Sequence, residues 1–266
     1  MNPIVSRAAK TMFALADILY GRWPGPRLLI YHQVGTHVLS ELEVPTDSFV
    51  RQLDWLSEHG EIVELDTALT RIGSDRAELT FTLGFDDGYM SVFTTAFPLL
   101  VARNVPFTLY LTTRPVETGE PLKGGPGSEP LRWEQVREML DSGLVAIGAH
   151  THTRPDLREM SAAAIAAELD RSNELILERT GVRPDHFAYP KGYWAASADP
   201  EVRVRYRTAV LGAGDPISQE SDPYRLHRLP VQRTDGLAFF KRKMTTGMRW
   251  EERTRRALRG YRGPTT

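Results

Sequence analysis

The stretch Leu79-Thr-Phe-Thr-Leu-Gly-Phe-Asp-Asp-Gly88 decides the fold. Leu79 to Phe85 is an apolar run that reads as a strand. It ends on two adjacent carboxylates, Asp86 and Asp87, and on a glycine that can turn the chain. On its amino-terminal side, LLIYHQV (28–34) reads as a short buried strand. Thr46 or Asp47 caps a helix with Phe49, Leu53 and Leu56 on one face, which ends near His59-Gly60. Ile62-Val63-Leu65 make a short strand. On the carboxyl-terminal side, SVFTTAFPLLVARN is helical and FTLYLTT (107–113) is a strand. Residues 114–130, rich in Pro and Gly, read as a surface loop. Leu131 to Ser142 is a helix, and Leu144 to Ile147 a strand ending at GAHTHTRP. Ser161 to Thr180 is a long Ala-rich helix, HFAYPKG opens on a strand, and TAVLG (208–212) is another. Strands and helices therefore alternate, which predicts a parallel α/β architecture, either a barrel or an open sheet. No Gly-rich phosphate loop follows any strand, which disfavours a nucleotide-binding sheet.

Composition narrows the functions available. The chain has 266 residues, 33 basic and 34 acidic, for a formal net charge of −1, so a nucleic-acid binder acting through overall charge is not expected. There is no cysteine, which removes disulfides, thiolate ligands and a cysteine nucleophile. The start of the chain predicts an amphipathic helix with Met12, Phe13, Leu15, Ala16, Leu19 and Tyr20 on its apolar side. Its alternatives are packing on the domain and a peripheral membrane contact. No cleaved signal peptide is expected, nor any apolar run long enough to span a membrane. The basic run from Lys241 to Arg262 reads as a solvated helix and tail, or as a contact for an anionic surface.

Three groups could carry chemistry, each at the carboxyl end of an apolar strand, where barrel enzymes place theirs. Asp86 and Asp87 repel each other unless something compensates. A divalent metal on one would do so, leaving the other as a general base; a turn or helix cap is the plainer reading. His150, with His152 two residues on, suits a borderline metal such as zinc. His32, titrating near neutrality, could protonate a leaving amine. Each histidine could equally be a satisfied, partly buried imidazole.

These segments, in this order, resemble the polysaccharide deacetylases, the NodB-homology domains of carbohydrate esterase family four, over about residues 28–240. Leu83-Gly-Phe-Asp-Asp-Gly88 is similar to the family's Thr-Phe-Asp-Asp-Gly motif, and His150-Thr-His-Thr-Arg154 to its His-Ser/Thr-x-x-His motif. Leu131-Arg-Trp133, Pro155-Asp-Leu157 and Ala188-Tyr-Pro-Lys-Gly192 resemble its surroundings. The early strand carrying Tyr31-His32 looks like the branch that deacetylates poly-N-acetylglucosamine. The resemblance implies a distorted (β/α) barrel of about seven parallel strands over 28–240, flanked by an N-terminal helix and linker (1–27) and a basic tail (241–266). It implies a metal-dependent hydrolase that removes N-acetyl groups from a polysaccharide or glycolipid precursor. Asp86 would be the base, His32 the acid, and Asp87 and His150 ligands to a divalent metal, zinc by expectation. Arg154, Tyr189, Pro190, Gly192 and Tyr193 would face the substrate, and Tyr189, Tyr193, Trp194 and Trp133 offer flat surfaces for sugar rings. His227 is a second candidate acid. The absent leader fits a cytoplasmic or inner-membrane-face location.

Two departures stand out. Ala188 occupies the place where many members carry an arginine that orients the base. Arg154 occupies the second ligand position, and a protonated guanidinium cannot ligate a metal. Three readings follow. His152 completes the site. Or the site keeps two protein ligands and more water. Or Arg154 pairs with Asp86 or Asp87, leaving a non-catalytic saccharide binder or a metal-independent amidase acting on small cyclic amides.

Overall fold

The computed structural model describes residues 25–122, 127–212 and 215–246. The expected N-terminal helix and all of the basic tail beyond Thr246 lie outside the described residues. No helix among the described residues is long and apolar enough to cross a membrane.

Seven parallel strands follow one path across the sheet. These are β1 (Arg27–Tyr31), β5 (Thr80–Asp87), β6 (Phe107–Leu111), β7 (Val145–Ala149), β8 (His186–Ala188), β9 (Thr208–Val210) and β10 (Leu229–Pro230). Their order is β10-β1-β5-β6-β7-β8-β9, and β4 (Glu61–Ile62) adds to the start of β5. Two further strands, β2 (Gln33–Val34) and β3 (Glu43–Val44), pair only with each other. The strand expected over 28–34 is thus broken at His32, which leaves the ladder just where β1 ends. The expected strand over 62–65 stops at Ile62, and Leu65 begins a short helix, Leu65–Thr70. The expected loop over 114–130 contains the helix Thr113–Thr118.

One segment closes the barrel. Leu226 pairs with the edge at β9, its N–H on Ala209 O at 3.0 Å and its carbonyl accepting from Leu211 N–H at 2.8 Å. Three residues later β10 pairs with β1, Leu229 opposite Leu29 and Pro230 opposite Ile30. The chain therefore steps from one sheet edge to the other, and Arg228 sits in the step. The helix Gly236–Thr246 locks this closure. Its Lys243 ammonium is fully buried, donating to Asp235 and to Pro230 O, both at 2.6 Å. Lys243 was part of the run read as a solvated basic tail; within the described residues it is a core ion pair.

Strand residues alternate between two faces, as period two requires. Leu29, Tyr31, Leu83, Phe85, Leu109, Ile147, Phe187, Tyr189 and Ala209 face the helices and form the main core. Leu28, Tyr110, Ala188, Val210 and Leu226 face a smaller core inside the barrel. Each fully buried leucine or phenylalanine stabilises the fold by about 1.5–3 kcal/mol. The inward Tyr110 ring needs space that only glycine leaves: a Cβ on Gly148 would lie 2.5 Å from it.

Candidate functional site

Asp86 lies on the inward face of β5, and its neighbour Asp87 would ordinarily point the other way. The chain resolves this with a tight turn centred on Asp87. Gly88 N–H donates to Asp86 O at 2.9 Å, and Asp87 adopts a left-handed φ of 72°. Such conformations are strained for a residue with a side chain and cluster where function holds them. The turn was expected to begin at Gly88; it is Asp87 itself that bends. Both carboxylates thereby reach the carboxyl-end mouth of the barrel, 4% and 1% exposed.

Each carboxylate has its own guanidinium. Arg228, from the closing segment, grips Asp86 with two parallel bonds, Nη1 to Oδ1 at 2.7 Å and Nη2 to Oδ2 at 2.8 Å. Its Nε–H donates to Leu211 O at 3.1 Å, and it lies over the Tyr110 ring at 5.0 Å. Bidentate pairs of this kind are the strong ones. The arginine that orients Asp86 thus comes from the segment after β9, and not from position 188. Arg154 Nε lies directly on Asp87 Oδ1. Tyr89 lies close enough that burial and the Asp87 charge raise its phenol pKa. Burial alone would raise both carboxyl pKa values. The Arg228 charge at Asp86, and His150 with Arg154 at Asp87, outweigh it and hold both below the usual carboxylate range.

His150 follows β7 and faces inward, 1% exposed. Its Nδ1 bonds Ala188 O at 2.7 Å, which gives Nδ1 a proton, and its Nε2 lies 3.3 Å from Asp87 Oδ1. His32 stands at the same mouth, where both aspartates and both arginines act on it. Burial lowers its pKa, so it rests neutral at pH 7 rather than titrating near neutrality.

His152 does not join them. Its Nδ1 bonds the Thr113 hydroxyl at 2.9 Å. Its backbone N–H donates to Glu168 at 3.1 Å, and its carbonyl accepts from Arg114 N–H at 2.9 Å. The loop is folded away by left-handed Thr151 (φ 65°) and Arg154 (φ 60°), with Arg154 N–H on Thr151 Oγ1 at 3.0 Å. The expected metal set Asp87, His150 and His152 is therefore not assembled. Among the described residues no three His, Asp or Glu side chains converge as a metal site. The residues present do not fit a divalent metal: two donor groups remain, and a guanidinium lies against one of them.

The expected sugar platforms also change. Tyr189 is fully buried on the helix-facing side, its ring edge-on to Phe187, and offers no face to a substrate. Trp133 is 7% exposed and donates to Glu117 at 2.7 Å. Trp194 is covered by Arg225 at 4.2 Å and donates to Asp199. Pro190 is buried, and Gly192 is a packing residue: at φ 72°, its Cβ would lie 2.6 Å from Gly212 Cα. Tyr193 remains at the rim, half-buried under the Arg158 guanidinium at 4.1 Å. Asp156 joins the two rim loops, accepting from Arg158 at 2.6 Å and Lys191 at 3.2 Å. His227, the other candidate acid, is the neighbour of the residue that reaches Asp86.

The electrostatics set a pH dependence of stability. His32, His152 and His186 all have pKa values lowered first by burial, so the unfolded chain binds more protons than the fold once pH drops below the usual histidine value of about 6.5. Asp86 and Asp87 are depressed carboxylates, whose contribution is present above about pH 4 and lost as pH falls through their folded values. The melting temperature is therefore expected to fall in two stages, first between pH 7 and 5 and then below pH 4. Calorimetry across pH 7 to 3 would show it, and a flat profile from 7 to 5 would contradict the neutral-histidine assignment.

Comparison with known proteins places the chain. The sequence model of a family described as Polysaccharide deacetylase matches residues 73–205. YxkH of Bacillus subtilis is 23% identical over 208 residues, 77% of this chain and 70% of that protein. The poly-beta-1,6-N-acetyl-D-glucosamine N-deacetylase of Escherichia coli K12 is 31% identical over 143 residues, 48% of this chain but only 21% of that enzyme. Among solved structures, IcaB from Ammonifex degensii aligns with a TM-score of 0.71 at 24% identity, covering 83% of this chain and 96% of that one. The Streptococcus pyogenes deacetylase PplD aligns with a TM-score of 0.71 at 21% identity, covering 84% and 99%. At these identities the two structures speak for the fold.

Proposed function

This chain belongs to the polysaccharide deacetylase family, and on that premise we propose that it hydrolyses N-acetyl groups on the amino sugars of an acetylated saccharide. The observation that supports the reading best is the convergence of Asp86, Asp87, His150 and His32 at the carboxyl-end mouth of the barrel. Likeness to a poly-N-acetylglucosamine deacetylase favours that sugar class. Asp86 takes a proton from the attacking water, the water oxygen bonds to the acetyl carbon, and the C–N bond breaks as His32 hands its proton to the leaving nitrogen. The products are acetate and a free amine. Arg228 holds Asp86 in one rotamer, and Tyr193 borders the entrance.

This reading needs His32 protonated, although the resting ring is neutral. Acetate release from N-acetylglucosamine oligomers is therefore expected to be fastest on the acid side, with kcat/KM falling as pH rises through the lowered His32 pKa. Measuring acetate against pH tests it; no acetate at any pH would sink the reading. The Arg154–Asp87 contact favours a second reading, a saccharide binder without turnover. Oligomer binding by calorimetry with no acetate release would select it, and hydrolysis of small cyclic amides instead of oligomers would select an amidase.

A further inference from the structure

We infer that Arg154 is the resident cation of this site: its guanidinium takes the place of a divalent metal on Asp87, and the protein holds no such metal there. Four observations carry this, and none depends on which substrate is used. The two carboxylates are already matched by two guanidiniums, Arg228 on Asp86 and Arg154 on Asp87. A divalent ion beside Asp87 would face a fixed positive charge at the same oxygen. Asp87 and His150 alone supply two donor groups, where catalytic zinc sites use three protein ligands. His152, the nearest further imidazole in sequence, is held off at three points by Thr113, Glu168 and Arg114. Finally, the loop is shaped to deliver the arginine. Thr151 and Arg154 both take left-handed backbone conformations, and the Thr151 hydroxyl accepts the Arg154 N–H.

Arg154 differs from Arg228 in access. Arg228 is 2% exposed and spent on Asp86, whereas the Arg154 side chain is 23% exposed. Of the two guanidiniums on the carboxylates, it is the one that solvent reaches.

The test is zinc binding, read apart from activity. Wild type, Arg154→His, and Arg154→His combined with Asp87→Asn are dialysed against micromolar zinc and their metal content measured. Wild type is expected to retain no Asp87-dependent zinc. Arg154→His, which gives Asp87 and His150 a third imidazole, is expected to retain about one zinc per chain, and the double variant none. One zinc per wild-type chain, removed by Asp87→Asn alone, would overturn the inference. So would a folded Arg154→His that stays zinc-free, since the arginine would then not be what excludes the ion. Should Arg154→His not fold, melting of wild type and Asp87→Asn with and without zinc decides. Binding to the folded state raises the melting temperature by mass action, so a rise in wild type that Asp87→Asn abolishes counts against the inference, and none supports it.

Discussion

Arg228→Ala is expected to destabilise the fold by about 3–5 kcal/mol, the usual cost of stranding one partner of a buried ion pair. The pair is among the most buried charges in the barrel, with side chains 2% and 6% exposed. Removing the guanidinium leaves Asp86 beside Asp87 with no donor of its own, and also frees the Leu211 carbonyl that Arg228 Nε–H satisfies. Urea unfolding at pH 7 would measure the loss. It should shrink as pH falls, because an unpaired Asp86 escapes its penalty by taking up a proton. Arg228→Lys should recover little, since an ammonium cannot grip both carboxylate oxygens and the Leu211 carbonyl together. Replacing both partners with apolar residues, Asp86→Leu with Arg228→Met, should recover most of the stability while abolishing any chemistry at Asp86. A loss below about 1 kcal/mol in Arg228→Ala, the scale of an ordinary substitution, would mean that water or another cation replaces the guanidinium.

Arg228 also marks the limit of what the sequence discloses. The strands were legible because their apolar runs and terminal charged residues are local signals, and Asp86, His150 and His32 follow from them. Arg228 sits in RLHRLPV, 142 residues from its partner, and nothing local distinguishes it from Arg225 or from His227 beside it. Ala188 signalled that an arginine was missing, but not where its replacement would enter. That required knowing that the segment after β9 crosses to β1. His152 and Arg154 were equally undecidable: both lie within reach of Asp87 by spacing, and the left-handed Thr151 and Arg154 choose between them. Tyr189 is different, because its placement was legible. Strand alternation puts it on the face of Phe187, towards the helices, and Ala188 on the inward face with His150 and Asp86. The helix Thr113–Thr118 was hidden by the Pro and Gly content of the stretch around it.

Asp86→Asn is expected to lower kcat for acetate release by about 100- to 10,000-fold, the range a positioned general base supplies. The geometry makes this variant informative and also sets its control. Asparagine fits the space, but its NH2 must face one of the two Arg228 donors that now meet Asp86 oxygens. Some stability will be lost for a reason unrelated to catalysis. The assay therefore has to be run well below the variant's melting temperature, with KM determined as well as kcat. A base acts on the transition state, so kcat should fall with KM little changed. A misfolded or tilted site would raise KM and lower the melting temperature together. His32→Ala supplies the second axis. If Asp86 takes the proton and His32 gives one, the acid-side preference of kcat/KM should vanish in His32→Ala and persist in whatever residual rate Asp86→Asn retains. Near-normal turnover by a folded Asp86→Asn would remove Asp86 from the reaction. The chemistry would then have to centre on Asp87, whose carboxylate is paired with Arg154. A guanidinium engages each carboxylate, so what places the base at Asp86 is its position as the first carboxylate of the Asp86-Asp87-Gly88 motif, with Arg228 fixing its rotamer.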